Sequence, residues 1–211
     1  PTPKGIIVAK DSDKEKAKEK ILAKAKESIE DSEFKGKLPA NVTNVSIDEN
    51  VENPDLSDDT DVNVTVKYTV DGVEKKTVVK VPVTVVEGVP QIVPVDENNK
   101  QPNPENSIDK TEYPDGSTFE YDPKTPIDTT TPGDYKVNVI VKDKEGNPIA
   151  EVPATVRVVE SYPQFVPVDK DKKQPNVEGS IDPKAFPKDT EFSYESPVDT
   201  TKPGEKDVVV V

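Results

Sequence analysis

The densest group of side chains that could do chemistry lies in an acidic loop, PDLSDDTD, between Pro54 and Asp61. Its carboxylates belong to Asp55, Asp58, Asp59 and Asp61. Because Ca²⁺ takes carboxylate oxygens as ligands, these four residues form a weak calcium candidate. The spacing, the glycine and the distal glutamate of an EF-hand loop are missing, however. We therefore favour a solvated acidic loop over a metal site.

Two further groups of polar residues invite a chemical interpretation. DENN (Asp96–Asn99) and DKDKK (Asp169–Lys173) occupy the same place in two repeats and form a weak cation candidate. Lysines, asparagines and aspartates on strands are also the residue types of an intramolecular isopeptide crosslink. The sequence singles out no buried triad for such a crosslink, so for both groups we favour ordinary surface residues.

The residue types that the chain lacks restrict its chemistry more sharply. It contains no Cys, His, Met or Trp. Without Cys there is no disulfide framework, no zinc–thiolate site and no thiol nucleophile. Without His the commonest general base is missing. Carboxylate or lysine catalysis stays open in principle, but no pair of acids stands out, so we predict that the protein is not an enzyme and has no cofactor.

Charge and composition exclude further classes of partner. The net charge of −14 argues against nucleic acid, which requires a basic surface, and against attraction to anionic lipid. No apolar run approaches the roughly 20 residues of a membrane helix, so we expect no membrane insertion. Hydrophobic residues make up 31% of the chain, which favours several small cores over one large domain.

An internal repeat organises the chain. PQIVPVDENNKQPNPENSID, from Pro90 to Asp109, returns as PQFVPVDKDKKQPNVEGSID, from Pro163 to Asp182, at an offset of 73 residues. Further on, PIDTTTPGDYKVNVIV and PVDTTKPGEKDVVVV correspond at an offset of 71. VPVTVVE, ending at Glu87, echoes VPATVRVVE, ending at Glu160, so a divergent copy comes first. We predict three modules, at about residues 1–88, 89–161 and 162–211.

Alternating valines predict that these modules are mostly β. Residues 61–70 alternate with period two, Asp71-Gly72 supplies a hairpin turn, and residues 75–86 form the return strand. The prolines fall at strand edges and turns. This pattern favours tandem small Ig-like β-sandwich modules. Because the last copy stops one hairpin short of the middle copy, we expect an unpaired strand edge in it.

One segment, at about residues 12–35, has helical periodicity instead. Ser12 and Glu15 form a capping box. An apolar stripe follows, at Ala17, Ile21, Ala25 and Ile29. We expect this amphipathic helix to be an addition to the first module and to pack on that module's own sheet rather than on a partner.

Aromatic residues recur at equivalent places in the second and third modules. The pairs are Tyr113/Phe186, Phe119/Phe192 and Tyr121/Tyr194. We favour core packing at the same points of one fold. The alternative is a platform that binds a carbohydrate or a peptide.

The phrases YPDGSTFEYDPKTPIDTTTPGDYKVNVIV and FPKDTEFSYESPVDTTKPGEKDVVVV resemble the Rib/alpha-like repeats of Gram-positive surface proteins. The segments PVDENNKQPN and PVDKDKKQPN are similar to the longer form of that domain. The resemblance implies an Ig-like fold on the outside of a bacterial cell, in a parent protein attached covalently to the cell wall.

Two functions are consistent with these observations. The first is a stalk that projects an adhesive or other functional region away from the wall, because short proline-containing linkers such as EGVPQ and ESYPQ stiffen a chain of modules. The second is an adhesin module, which would bind a host protein or glycan through the first domain or a repeat face.

Overall fold

A computed structural model describes residues 3–211 of the chain. Its elements, in chain order, are β1 (Ile6–Ala9), α1 (Lys14–Glu30), α2 (Ser32–Lys37), β2 (Val42–Ile47), β3 (Thr60–Val70), β4 (Val73–Val86), β5 (Gln91–Pro94), β6 (Thr118–Tyr121), β7 (Gly133–Lys142) and β8 (Pro148–Val159). Four short 3-10 helices lie at Pro104–Ser107, Lys110–Glu112, Val177–Ser180 and Pro183–Ala185. The regular secondary structure of the described residues is thus predominantly β, in two four-stranded sheets.

The chain forms two compact units. The first consists of residues up to Val89, Pro104–Lys124 and Asn138–Ala154. The second consists of Pro90–Asn103, Thr125–Val137 and Thr155–Val211. The division passes through the middle repeat, so these units are not the modules of the sequence, whose boundaries stay a prediction.

The first sheet has the order β1-β4-β3-β2 and lies in the first unit. Its centre is the long β3–β4 hairpin, whose pairing runs from Thr60↔Val83 to Val70↔Val73. Asp71 and Gly72 both have positive φ, at 49° and 84°, which is the backbone geometry that a two-residue hairpin turn requires. The return strand β4 begins two residues before the predicted Lys75 and ends where expected.

The amphipathic stripe of α1 packs into the core of this unit. Its residues Ala17, Ile21, Ala25 and Ile29 are buried in one cluster with valines of β3 and β4. The helix cap differs from the sequence prediction, since Asp13 rather than Ser12 accepts the N–H groups of Glu15 and Lys16. A carboxylate near the positive end of the helix dipole is the stronger cap. The helical segment continues as the short α2, to Lys37.

A second cluster of buried residues lies in the same unit. It contains Val86, Ile108, Tyr113, Val139, Val141, Ala150 and Val152, with Phe119 and Tyr121 packed against it. The rings of Tyr113 and Phe119 meet edge to face at 5.5 Å, and those of Phe186 and Phe192 do so at 5.0 Å in the second unit. The repeated aromatics of the middle module therefore pack in a core, as we favoured.

In the second unit, β5 pairs in parallel with the end of β8, from Gln91↔Val156 to Pro94↔Val159. Residues 162–211 contain short 3-10 helices and isolated bridges, and no extended strand is assigned among them. No helix among residues 3–211 combines the length and apolarity that crossing a bilayer demands.

Candidate functional site: two repeated module junctions

The carboxylates of the acidic loop, residues 54–61, already have partners within the protein. Asp55 accepts the N–H of Ser57 at 3.0 Å, and hydrogen bonds from Ser57 lower the pKa of Asp55. Asp59 accepts the N–H of Val85 at 2.7 Å. Asp58 accepts the N–H of Asp59, and Asp61 lies 4.0 Å from the ammonium of Lys80. Within residues 3–211 no three acidic side chains are grouped as a metal site. The solvated loop stays the favoured interpretation, with calcium as the weak alternative.

The second cation candidate consists of two carboxylate-capped turns. Asp96 accepts the N–H groups of Asn98 and Lys100, at 2.8 and 3.2 Å. Asp169, its counterpart in the last repeat, accepts the N–H of Asp171 at 2.7 Å. Asp side chains commonly close turns in this way. The recurrence of the acid is therefore explained by the turn itself.

The features that recur most closely lie at the two linkers, where the sequence predicts that one module meets the next. At the first junction, Gly88 forms an antiparallel bridge with Ile108. The N–H of Val89 donates to the carbonyl of Ser107 at 2.8 Å. Backbone hydrogen bonds thus hold the two residues that precede the linker proline, and all of these residues lie in the first unit.

The second junction repeats this arrangement at the same offset of 73 residues. Ser161 forms an antiparallel bridge with Ile181, and the N–H of Tyr162 donates to the carbonyl of Ser180 at 2.8 Å. These residues lie in the second unit. The Ser-Ile dipeptide of NSID and GSID is therefore the element of each repeat that receives the chain from the preceding module.

Buried polar side chains support the receiving segment. The hydroxyl of Ser107 is within 2.9 Å of the hydroxyl of Tyr121, and Ser107 is fully buried. In the last repeat, the amide nitrogen of Gln164 donates to the hydroxyls of Ser180 and Tyr194, at 2.7 and 2.9 Å. Satisfied buried groups of this kind fix one geometry, because any other would leave a polar atom unpaired.

Each junction also has a charged contact. At the first, Lys10 and Glu87 form an ion pair at 3.0 Å, which raises the pKa of Lys10. Nearby, partial burial and then the charges of Asp109, Asp59 and Glu87 raise the pKa of Glu112. This clustering of acids reflects the acidity of the whole chain.

The second junction is held by Arg157, the single arginine of the sequence. Its Nε and Nη2 bind the two carboxylate oxygens of Asp134, at 2.7 and 3.0 Å. Its Nη1 donates to the carbonyl of Ala185 at 2.8 Å. The guanidinium therefore ties β7 and β8 to the last repeat, and its hydrogen bond lowers the pKa of Asp134.

Sequence reasoning missed Arg157, Gly88 and the Ser107/Ser180 pair. For the serines a signal was present, since a small polar residue keeps its identity between two copies that differ at many exposed positions. For Arg157 no signal was available, because its two partners lie 23 and 28 residues away along the chain.

The repeats that contain these junctions match a known protein family. A family model described as the Rib domain matches residues 86–160 and 162–211, which together make up more than half of the chain. The chain belongs to the Rib domain family. Rib domains are repeats of Gram-positive surface proteins.

Among solved structures, the chain is similar to a Rib structure from Streptococcus pyogenes. The sequence identity is 24% and the TM-score is 0.30, over 35% of this chain and 89% of that one. A comparison with curated proteins gave no match.

The two Rib repeats differ in the hydrogen bonds of one buried threonine. In the middle repeat, Asn99 Oδ1 accepts from the N–H and the hydroxyl of Thr129, at 2.9 and 3.2 Å. The equivalent residues of the last repeat are Lys172 and Thr200. The buried hydroxyl of Thr200 has no hydrogen-bond partner among the described residues. Asn99 and Lys172 both have positive φ, 53° and 58°, which Asn adopts more readily than Lys.

Replacing Lys172→Asn is therefore expected to stabilise the last repeat. The new amide would give Thr200 its acceptor and relieve the backbone, raising the free energy of unfolding by about 1 kcal/mol. Urea denaturation measures the change, with the neighbouring substitution Lys173→Asn as a control that leaves stability unchanged. Equal stability of the Lys172→Asn variant and the parent chain would contradict this assignment.

Gly88 is required at the first junction for reasons of space. A Cβ built there would lie 2.2 Å from the carbonyl oxygen of Pro153 and 2.7 Å from the Cβ of Ala154. Since the nearest atom belongs to the backbone of β8, Gly88→Ala should destabilise the chain by about 1–3 kcal/mol.

Gly36→Ala in α2 is the matched control for Gly88→Ala, because nothing lies within 4 Å of the added methyl group. In a helix this substitution is expected to be neutral or mildly stabilising. Thermal unfolding of both variants compares them directly. A Gly88→Ala variant as stable as the Gly36→Ala variant would show that the junction is not closely packed.

Proposed function

We propose that this chain is a spacer of a bacterial surface protein, in which tandem Rib repeats hold a functional region away from the cell wall. The observation that carries the proposal is the repeated junction. Two linkers of different sequence, EGVPQ and ESYPQ, make the same backbone contacts with the module that follows. A linker that is hydrogen-bonded to the next module transmits orientation, whereas a free linker acts as a hinge.

The proline in each linker and the negative charge of the chain support the same role. Pro90 and Pro163 follow the hydrogen-bonded residues Val89 and Tyr162, and proline restricts its own φ as well as the residue before it. The net charge of −14 makes neighbouring copies repel one another, which opposes lateral collapse on a crowded surface.

The proposal includes three further properties: the fold of the modules, the export of the parent protein and its attachment to the wall. The modules are small Ig-like sandwiches, the first with an added helix. The parent protein is exported to the cell surface. It is attached covalently to the cell wall, which is inferred from the resemblance to Rib/alpha-like surface proteins.

The alternative function is adhesion to a host protein or glycan through the first domain or a repeat face. In the first module, the large apolar residues exposed on the long hairpin are Val73 and Val78, at 57% and 53%. Isolated exposed valines of this kind are ordinary on protein surfaces. These two valines give the first domain no particular claim to adhesion. In the last repeat Phe165, Val166 and Val168 are also exposed, and the spacer proposal is preferred because the repeated junction contacts support it.

The arginine contact at the second junction provides the test. Because the chain has no native cysteine, spin labels can be placed at Lys136→Cys and Lys188→Cys, two exposed positions of the second unit. Double electron–electron resonance is expected to give a narrow distribution of distances between the labels. Arg157→Gln should broaden it, because the contacts with Asp134 and Ala185 are lost.

Lys142→Gln is the matched control for this experiment, since it removes an ion pair with Glu120 between β6 and β7 and leaves the junction contacts in place. The control distribution should stay narrow. A broad distribution in the unmodified chain would contradict the spacer proposal.

The width of the distance distribution between these two labels should also depend on pH. Since Arg157 depresses the pKa of Asp134, the contact contributes its full stability above the ordinary aspartate pKa of about 4. It is lost as the pH falls through the depressed value. The distribution should therefore be constant between about pH 5 and 8 and broaden only in stronger acid.

A further inference from the structure

In the first sheet, the strand by which the chain enters and the strand by which it leaves lie side by side. β1 is the first element that the structure describes, and β4 is the last one before the first linker. The two strands pair in parallel, from Ile6↔Val83 to Ala9↔Val86. The N–H of Lys10 extends this ladder, because it donates to the carbonyl of Val86 at 2.8 Å.

The middle Rib repeat has the same arrangement. β5 is its first strand after that linker, and β8 is its last strand before the second linker. These strands also pair in parallel, from Gln91↔Val156 to Pro94↔Val159. The N–H of Val95 donates to the carbonyl of Val159 at 2.9 Å, which matches the last bond of the ladder in the first sheet. A parallel pair of entering and leaving strands is therefore a repeated feature of the chain.

Parallel pairing determines how these strands respond to a pull along the chain. Tension enters β1 at Ile6 and leaves β4 at Val86, and these two residues lie at opposite ends of the ladder. To separate under such a pull, the strands must slide past each other, so all hydrogen bonds of the ladder carry the load together. In an antiparallel pair the two loaded ends would be adjacent, and the bonds would break one after another. The topology therefore gives the chain the stronger of the two arrangements.

Buried side chains protect this pairing from water. In β1, Ile6, Val8 and Ala9 are 7%, 4% and 5% exposed, and in β4, Val83 and Val86 are 2% and 0% exposed. A hydrogen bond that water cannot reach finds no replacement partner while it opens, so its loss is costly. On its other side β4 is held by the longer pairing with β3, and β1 is the edge strand. The β1–β4 ladder is therefore the pairing that a pull on the chain loads.

We propose that the parallel pairs β1–β4 and β5–β8 are mechanical clamps, which keep the first sheet and the middle Rib repeat folded while the chain is under tension. Such tension arises when the far end of a surface protein is bound and its wall end is fixed, so the use of the clamps in the cell rests on the spacer proposal. The resistance itself does not rest on it, because it follows from strand direction and hydrogen bonding within each pair.

Single-molecule force spectroscopy of the full chain, in two pulling directions, tests the proposal. Because the chain has no native cysteine, DNA handles can be attached to cysteines introduced at exposed positions. Handles at Lys4→Cys and Glu87→Cys load the β1–β4 ladder in shear. Handles at Lys14→Cys and Glu87→Cys pull the same two strands apart from one end. Both pairs lie within residues 4–87, so the Rib repeats carry no load in either direction.

The expected result is a large difference between the two directions. At equal loading rate, the first sheet should open in shear at a force at least roughly twofold higher than when it is pulled from one end, because several hydrogen bonds must break together. Glu87→Cys removes the ion pair with Lys10 in both cases, so this contact does not contribute to the difference.

A pair of substitutions in the ladder tests one of its bonds. Lys10→Pro removes the N–H that donates to Val86, whereas Lys10→Ala keeps it, and both variants lack the ammonium group. Under the same shear load, Lys10→Pro should unfold up to roughly tenfold faster than Lys10→Ala, because forced unfolding reports the unfolding rate and a loaded hydrogen bond contributes to its barrier. A ¹H–¹⁵N spectrum establishes that each variant is folded, and the comparison of directions needs no change within the strands.

Two results would overturn the proposal. They are equal unfolding forces in the two directions, and equal unfolding rates in shear of folded Lys10→Pro and Lys10→Ala variants. Neither result affects the spacer proposal, which fails instead on a broad distance distribution between spin labels at residues 136 and 188. A high force in shear together with such a broad distribution would support the clamps and contradict the fixed junction.

Discussion

Backbone hydrogen bonds at the two junctions are the constraint on which this chain depends. The amides of Val89 and Tyr162 each donate to the carbonyl of a buried serine, and each is followed by a proline. A proline alone restricts a linker locally but leaves the next module free to turn about neighbouring bonds. The added bridge to Ile108 or Ile181 fixes the entering chain to the module that receives it. We propose that repetition of this contact lets a series of modules act as a spacer.

Because the chain is poor in hydrophobic residues, hydrogen bonds at the junctions are important for holding it together. With 31% hydrophobic residues, the chain has few side chains to bury, and its cores are small clusters rich in valine. In the first unit, β4 contributes Val83 to one cluster and Val86, three residues later, to the other. The strand thus contributes apolar side chains to both clusters. Charged and polar residues make up much of the remaining surface.

Much of the fold could be predicted from short-range patterns. The alternation of residues 61–70, the Asp71-Gly72 turn and the helical stripe of α1 each depend on a few neighbouring residues, and each was placed correctly. The repeat alignment pointed to the two linkers, EGVPQ and ESYPQ, where the structure shows equivalent backbone contacts. Long-range contacts could not be predicted. Nothing in the sequence near Arg157 indicates that Asp134 and Ala185 meet it, and nothing near Ile6 indicates that β1 pairs in parallel with β4. The capping error at Ser12 has a local cause, since Asp13 is the better acceptor of two adjacent candidates.

The most direct test of the account is amide hydrogen exchange at Val89 and Tyr162, measured by NMR on the whole chain. If the junctions are closed, both amides should be protected to a degree comparable with amides inside β3, because exchange then requires the bridge to open. Exchange at the rate of an unstructured peptide at either position would show that the linker is free there, and would contradict the claim that these repeats form a spacer with fixed junctions.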